Sequence, residues 1–144
     1  MKTSYFGNKA VVDNPNSVSI ARWPPRWWDD RRRYILLAPS IDLLNRSKAG
    51  LYWPKHVKEY QRDVLGKLDP VKVLADLGDD AILLCWEKTR EECHRRLVAE
   101  WLEKHLSIKV PEFKSSIADR EQKIGVINFI RVYELEVNSI LRLN

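Results

Sequence analysis

At 144 residues the chain fits one domain and is long enough to bury a core without disulfides or metal. Hydrophobic residues at 44% and charged residues at 31% exclude a disordered composition, and no run approaches the roughly 18 apolar residues of a membrane span. A net charge of +5 and a pI near 9.3 favour anionic partners such as phosphates, nucleotides or nucleic acid.

The opening, MKTSYFGNKA, lacks the apolar stretch of a secretory signal. Two cysteines without a framework spacing fit a reducing compartment, so a soluble cytoplasmic protein with no membrane partner is expected. Lys2 to Phe6 and Val18 to Trp23 read as short strands, separated by a turn-rich stretch containing Gly7, Asn8, Asn14, Pro15 and Asn16. Pro24-Pro25 stops the second strand, because proline cannot donate to a ladder. Tyr34 to Ala38 is a third apolar run of strand length, closed by Pro39. Ser40 is placed to cap a short helix through about Arg46, and Lys55 to Lys67 carries Val57, Tyr60 and Val64 on one helical face.

Asp69-Pro70 is a helix start: a capping carboxylate, then proline in the first turn, where no N–H is required. Val71, Leu74 and Leu77 form its expected buried stripe, and Gly78 its stop. Ala81 to Cys85 is apolar on both faces, as a strand inside a parallel sheet should be. Thr89 to Glu92 matches a capping box, predicting a helix from there to about Leu106. Ile108 to Val110 reads as an edge strand closed by Pro111. This alternation predicts an α/β fold, a small mostly parallel sheet flanked by helices and Rossmann-like, over residues 1–112. A C-terminal extension occupies 113–144. In it Val126, Ile130, Tyr133, Val137 and Ile140 follow alternating four- and three-residue steps, a helical seam suited to packing on the domain or on a second copy in a homodimer. Tyr133, Leu135 and Val137 also alternate as a strand would, and both readings stand.

Both cysteines and one histidine fall in LLCWEKTREECHRR, residues 83–96. Structural zinc commonly uses cysteines two to four apart; Cys85 and Cys93 lie eight apart with no second pair, and nothing local recruits His56 or His105, so no metal or cofactor is expected. Loops that pair a catalytic thiolate with an arginine six positions later fail too, since Glu91 and Ala99 stand there. With Thr89 as cap, Cys93 and His94 fall near the helix N-terminus. A buried stripe of Leu97, Val98, Trp101, Leu102 and His105 turns His94 and Arg95 inward or to its edge, with Arg96, Glu100 and Glu103 outward. Ligands of open α/β sheets bind beyond the carboxyl ends of the strands, and a helix N-terminus with an inward arginine suits a phosphate or carboxylate. Arg95 and Lys88 are therefore expected to bind ligand, and Glu87 or His94 to act as acid or base. Cys93, near a helix N-terminus beside His94 and Arg95, is either a structural cysteine or a catalytic thiol of lowered pKa for thiol or sulfur-transfer chemistry, while Cys85 is expected to behave as a small hydrophobe.

Residues 22–33, RWPPRWWDDRRR, hold five arginines and three tryptophans. Such interleaving suits nucleic acid; equally, Trp27 and Trp28 could cover the sheet while Asp29 and Asp30 pair with Arg31 to Arg33.

Leu83-Leu84-Cys85-Trp86-Glu87, then Cys93-His94-Arg95 opening a helix that continues Leu97 to Leu102, resembles the signature of domain-of-unknown-function family 488. Thr3-Ser4-Tyr5-Phe6-Gly7-Asn8 and Val18 to Pro25 are similar to its shorter members. The resemblance covers roughly residues 1 to 107. It implies a shared site at the Cys-His-Arg triplet, to which the ends of the first two strands would add Ser4, Asn8, Arg22 and Trp23. Trp23 would stack on a planar group while Arg22 or Arg95 takes an anion. The expectation is a nucleotide- or nucleic-acid-processing domain with an anion-binding cleft, a hydrolase or transferase; the alternative is a non-catalytic binder of the same ligands.

Overall fold

A computed structural model describes residues 1–28, 32–88 and 91–114. Met1–Phe113 form one compact unit. Its centre is a three-stranded, all-parallel sheet of β1 (Lys2–Tyr5), β2 (Ser17–Ser19) and β3 (Ile82–Cys85), ordered β1-β3-β2. Lys2 and Ser17 both stand opposite Ile82, so the two outer strands share one register against the central one.

β3 has no polar side and is buried throughout. Successive side chains of a strand point to opposite faces. Leu83 accordingly packs with Val18, Val98 and Leu102, while Ile82 and Leu84 pack with Phe6, Val11 and Trp28. Each fully buried leucine contributes about 1.5–3 kcal/mol. The helices are α1 (Lys9–Val12), α2 (Ile41–Lys48), α3 (Trp53–Asp63), α4 (Pro70–Leu77) and α5 (His94–Leu106). Val11 of α1 belongs to the second cluster, and α2 to α5 all feed the first. The sheet thus has apolar cover on both faces, as a parallel sheet requires, and the expected α/β architecture is present.

Several local expectations hold and others shift. Ser40 caps α2 by accepting from the Leu43 N–H, and Asp69 caps α4 by accepting from the Val71 N–H. Gly78 ends α4 at φ 84° and ψ 158°, a conformation open in practice to glycine alone. Tyr34 to Ala38, by contrast, is no strand. Ile35–Leu37 forms a 3₁₀ turn in which only Leu37 is buried, because the short run must turn before Pro39. β2 also stops sooner than expected: after the Ile20 N–H bonds the Leu84 carbonyl, the chain leaves the sheet towards Pro24-Pro25. The buried face of α4 is Val73 and Leu77, with Val71 62% exposed.

α5 starts four residues later than the capping-box reading placed it. Thr89 and Arg90 lie outside the described residues. Glu91 accepts from the Lys88 N–H and returns its own N–H to the Lys88 carbonyl, closing a turn. Cys93 follows in extended backbone as the residue preceding the helix. Ile108 to Val110 forms no strand; the chain reaches β1 one step later, through a parallel bridge between Thr3 and Glu112. The Asp29, Asp30 and Arg31 pairings and the seam from Val126 to Ile140 lie outside the described residues.

Candidate functional site

Because the three strands are parallel, all their carboxyl ends open on the same rim. Ala21 to Trp23 leave β2 there, Trp86 to Lys88 leave β3, and the first turn of α5 arrives there. Two adjoining hollows follow the rim. One, of about 390 Å³, is bordered by Arg22, Trp23, Lys48, Cys85, Glu87 and His94. The other, of about 300 Å³, is bordered by His56, Glu92 and Cys93 and shares Lys48, Glu87 and His94 with the first. Both fall within or near the usual range of small-molecule sites, roughly 300–1,000 Å³.

The floor is a cluster of four side chains. Cys93 Sγ donates to Glu87 Oε2 at 2.8 Å. His94 Nδ1 lies 3.6 Å from Cys85 Sγ, and its Nε2 lies 3.1 Å from the Ile20 carbonyl oxygen. A carbonyl can only accept, so Nε2 donates to Ile20, while the Cys85 sulfur, 3.8 Å from Nε2 as well, stands beside the ring almost equally far from both nitrogens. Both thiols and the imidazole are buried. Burial opposes charge on Glu87, but hydrogen bonds from the Cys93 and Cys85 thiols hold its carboxyl below the ordinary value. Burial opposes charge on Cys93 too. There, hydrogen bonds to Cys85 and His94 outweigh both burial and the nearby Glu87 charge and bring the thiol down to about 6. Cys85 moves the other way, pushed well above the ordinary thiol range by its hydrogen bond with Cys93 and by burial. Glu87, a carboxylate held ionised on the wall of both hollows, is placed to take a proton from a ligand.

Above this floor stands a polar and aromatic rim. The Trp23 ring is 49% exposed, and the Lys48 ammonium sits 5.4 Å from its centroid. Trp86 donates its indole N–H to the Trp23 carbonyl, fixing one indole against the other's backbone. Arg22 borders the larger hollow and donates from Nε to the Pro39 carbonyl, tying the rim to the start of α2. His56 is 4% exposed, its Nδ1 paired with Ser47 Oγ and its Nε2 without a hydrogen-bond partner among the described residues. Burial and the neighbouring His94 push its pKa down.

Four residues expected to meet ligand are placed elsewhere. Arg95 is fully buried and does not border either hollow. Its Nη1 donates to the Glu87 carbonyl at 2.6 Å, its Nη2 to the Lys88 carbonyl at 3.0 Å, and its Nε and Nη2 to Glu112 Oε1. The later helix start explains this: as the second residue of α5, Arg95 points beneath the 86–88 loop instead of into the crevice. Ser4 and Asn8 pair with each other, Asn8 also capping α1, so their polarity is spent on the turn after β1. Lys88 is exposed beside the cleft and borders neither hollow. Of the nine expected residues, Glu87, Cys93, His94, Arg22 and Trp23 come together.

Lys48, His56 and Cys85 join them without having been expected. Lys48 and His56 sit on α2 and α3, far away in sequence, and only the docking of those helices brings them to the rim. Cys85 had a visible signal in its polarisable sulfur, but the strand context argued for packing.

Residues 6–106 match a family model, DUF488-N3a, described as the active DUF488-N3 subclade. No curated protein and no solved structure matches the chain.

Proposed function

This chain belongs to the DUF488 family, and on that footing we propose that it processes a nucleotide or a nucleic-acid end in the cleft at the sheet's carboxyl rim. The observation that supports this reading is one juxtaposition. An exposed indole with a lysine ammonium over it, Trp23 and Lys48, shares a hollow with the Glu87 carboxylate. A nucleobase stacking on Trp23 would gain about 1–3 kcal/mol. Lys48 and Arg22 supply positive charge for a phosphate, taking the role expected of Arg95. His56 borders the smaller hollow, its Nε2 buried and without a hydrogen-bond partner among the described residues.

The reaction class we assign is cleavage or transfer at a glycosidic bond, which needs a carboxylate and an anion clamp. Glu87 is held ionised and so serves as general base. It takes the proton of a water, or of an acceptor hydroxyl, as that oxygen bonds to the anomeric carbon; the C–N bond breaks and the base departs with the electron pair. Cys93 is a positioning residue for Glu87. Incubating the protein with a mixture of nucleotides and following masses tests the reading. New products formed by the wild type and absent with Glu87→Gln are expected; a wild type that neither depletes nor converts any nucleotide would overturn it.

A second reading, a non-catalytic binder, is favoured by the exposure of Trp23, Trp27 and Trp86. It expects nucleotide to be depleted and then returned unchanged on denaturation. Under either reading we assign the protein to the cytoplasm.

A further inference from the structure

We propose that Cys85, Cys93 and His94 form a binding site for a thiophilic divalent cation of the zinc class. The proposal shares Glu87 and Cys93 with the nucleotide reading but is argued from the two thiols and the imidazole of the floor, and a bound cation would take over from the Cys93 thiol the placing of Glu87. One donor atom from each of the three residues lies within 4.8 Å of the other two. Around a tetrahedral zinc with bonds of about 2.0–2.3 Å, sulfur and nitrogen ligands stand about 3.5–3.8 Å apart. Cys85 Sγ and His94 Nδ1 already stand 3.6 Å apart, so small side-chain movements close the set.

The imidazole is prepared for this role. A metal-binding histidine characteristically donates its second ring N–H to a carbonyl or carboxylate, which fixes the tautomer and turns the other nitrogen to the metal. His94 makes that second bond, with Nε2 at the Ile20 carbonyl, which leaves Nδ1 as its ligand atom; the ring has to turn for Nδ1 to face Cys85, whose sulfur stands 3.6 and 3.8 Å from the two nitrogens. The positions are held by backbone: Cys85 ends the central strand, and Cys93 and His94 are the residues where α5 begins. Two sulfurs and one nitrogen select a soft or borderline cation over magnesium or calcium.

Three protein ligands and an open fourth position characterise a reactive zinc site as opposed to a purely structural one. Here Glu87, whose Oε2 lies 2.8 Å from Cys93 Sγ, stands beside the three ligands and lines both hollows. Binding is balanced as an exchange: the cation enters, and whatever protons the two thiols still carry leave to solvent as both sulfurs bind as thiolates. With the cation in place both sulfurs are bound thiolates, which removes Cys93 from consideration as a free nucleophile. The eight-residue spacing concealed the site, since the 86–92 loop bridges two elements that only the fold brings together.

The test uses the full chain, reduced, stripped with a chelator and titrated with Co²⁺ alone. One cobalt per chain is expected, with intense thiolate-to-metal charge transfer and the visible bands of a tetrahedral ion, both lost on adding Zn²⁺. Cys93→Ser, nearly isosteric, is expected to weaken Co²⁺ binding by more than the ~10–100-fold that loss of even an outer partner costs. Zn²⁺ should raise the melting temperature of the wild type and not that of Cys93→Ser. A folded wild type giving only the faint spectrum of hydrated cobalt overturns the proposal, as does unchanged affinity in Cys93→Ser. Should His94→Gln fail to fold, the serine variant carries the test. No nucleotide is present, so failure of the nucleotide assay and failure of this one are told apart.

Discussion

Arg95 shows how one side chain can serve a site without touching ligand. Its guanidinium spans the carbonyls of Glu87 and Lys88 and the Glu112 carboxylate, so it fixes the backbone from which the Glu87 side chain reaches into the cleft. Arg95→Ala leaves those acceptors without their buried donor and should cost about 3 kcal/mol or more, read as a lower urea midpoint. Arg95→Lys should recover little, because a single ammonium cannot reproduce a planar fork spanning several acceptors. A lysine variant of wild-type stability would show that the geometry of the fork is immaterial. Glu87→Gln makes the complementary change. It keeps the shape and removes the charge, so turnover should disappear with the melting temperature moved by less than a few degrees.

Helix α4 carries a sharper lesson at the level of the element. Val71, Leu74 and Leu77 obey helical spacing, and so do Val73 and Leu77; the sequence pattern admits both faces. Docking chose the second, leaving Val71 outward and Val73 at 1% exposure. Val73→Ala should therefore cost about 2 kcal/mol, and Val71→Ala no more than about 0.5 kcal/mol. Equal effects in chemical denaturation would restore the first face. At the end of the same helix, Gly78→Ala meets no clashing atom, yet φ 84° with ψ 158° penalises any Cβ. A loss of about 1–3 kcal/mol is expected from backbone strain alone. Caps such as Ser40 and Asp69 were legible because a capping bond is local, closed within three residues. The start of α5 was not, since Glu91 and Glu92 offer competing local bonds and the sheet decides which turn survives.

The whole molecule sets how stability answers to pH. His56 of α3 borders the smaller hollow, stacked against Trp53 and paired with Ser47, with His94 near by. Burial lowers its pKa below the ordinary 6.5, helped by His94 and Arg46 and opposed by Glu59 and Glu87. The unfolded chain therefore binds a proton that the folded one resists as pH falls below about 6.5. Its contribution to stability is fully present above that pH and is lost progressively as pH drops through the lowered folded value. Melting temperature should decline on acidification over this window, and less steeply in His56→Gln. An identical slope in the variant would assign the effect to other groups. No helix among the described residues is long and apolar enough to cross a membrane.

Composition, hydrophobic periodicity and capping residues were enough to determine an α/β chain with a buried central strand and a polar crevice near residues 85–95. Those properties follow from interactions between residues a few positions apart. The tertiary structure decided which face of α4 is covered, that Arg95 braces the loop, and that Lys48 and His56 reach the rim. It also brought the donor atoms of Cys85, Cys93 and His94 within 4.8 Å of one another. The physical reason is range. Helical and strand patterns record how a segment meets solvent, whereas a cluster drawn from β3, α2, α3 and α5 depends on packing directions that no single segment encodes.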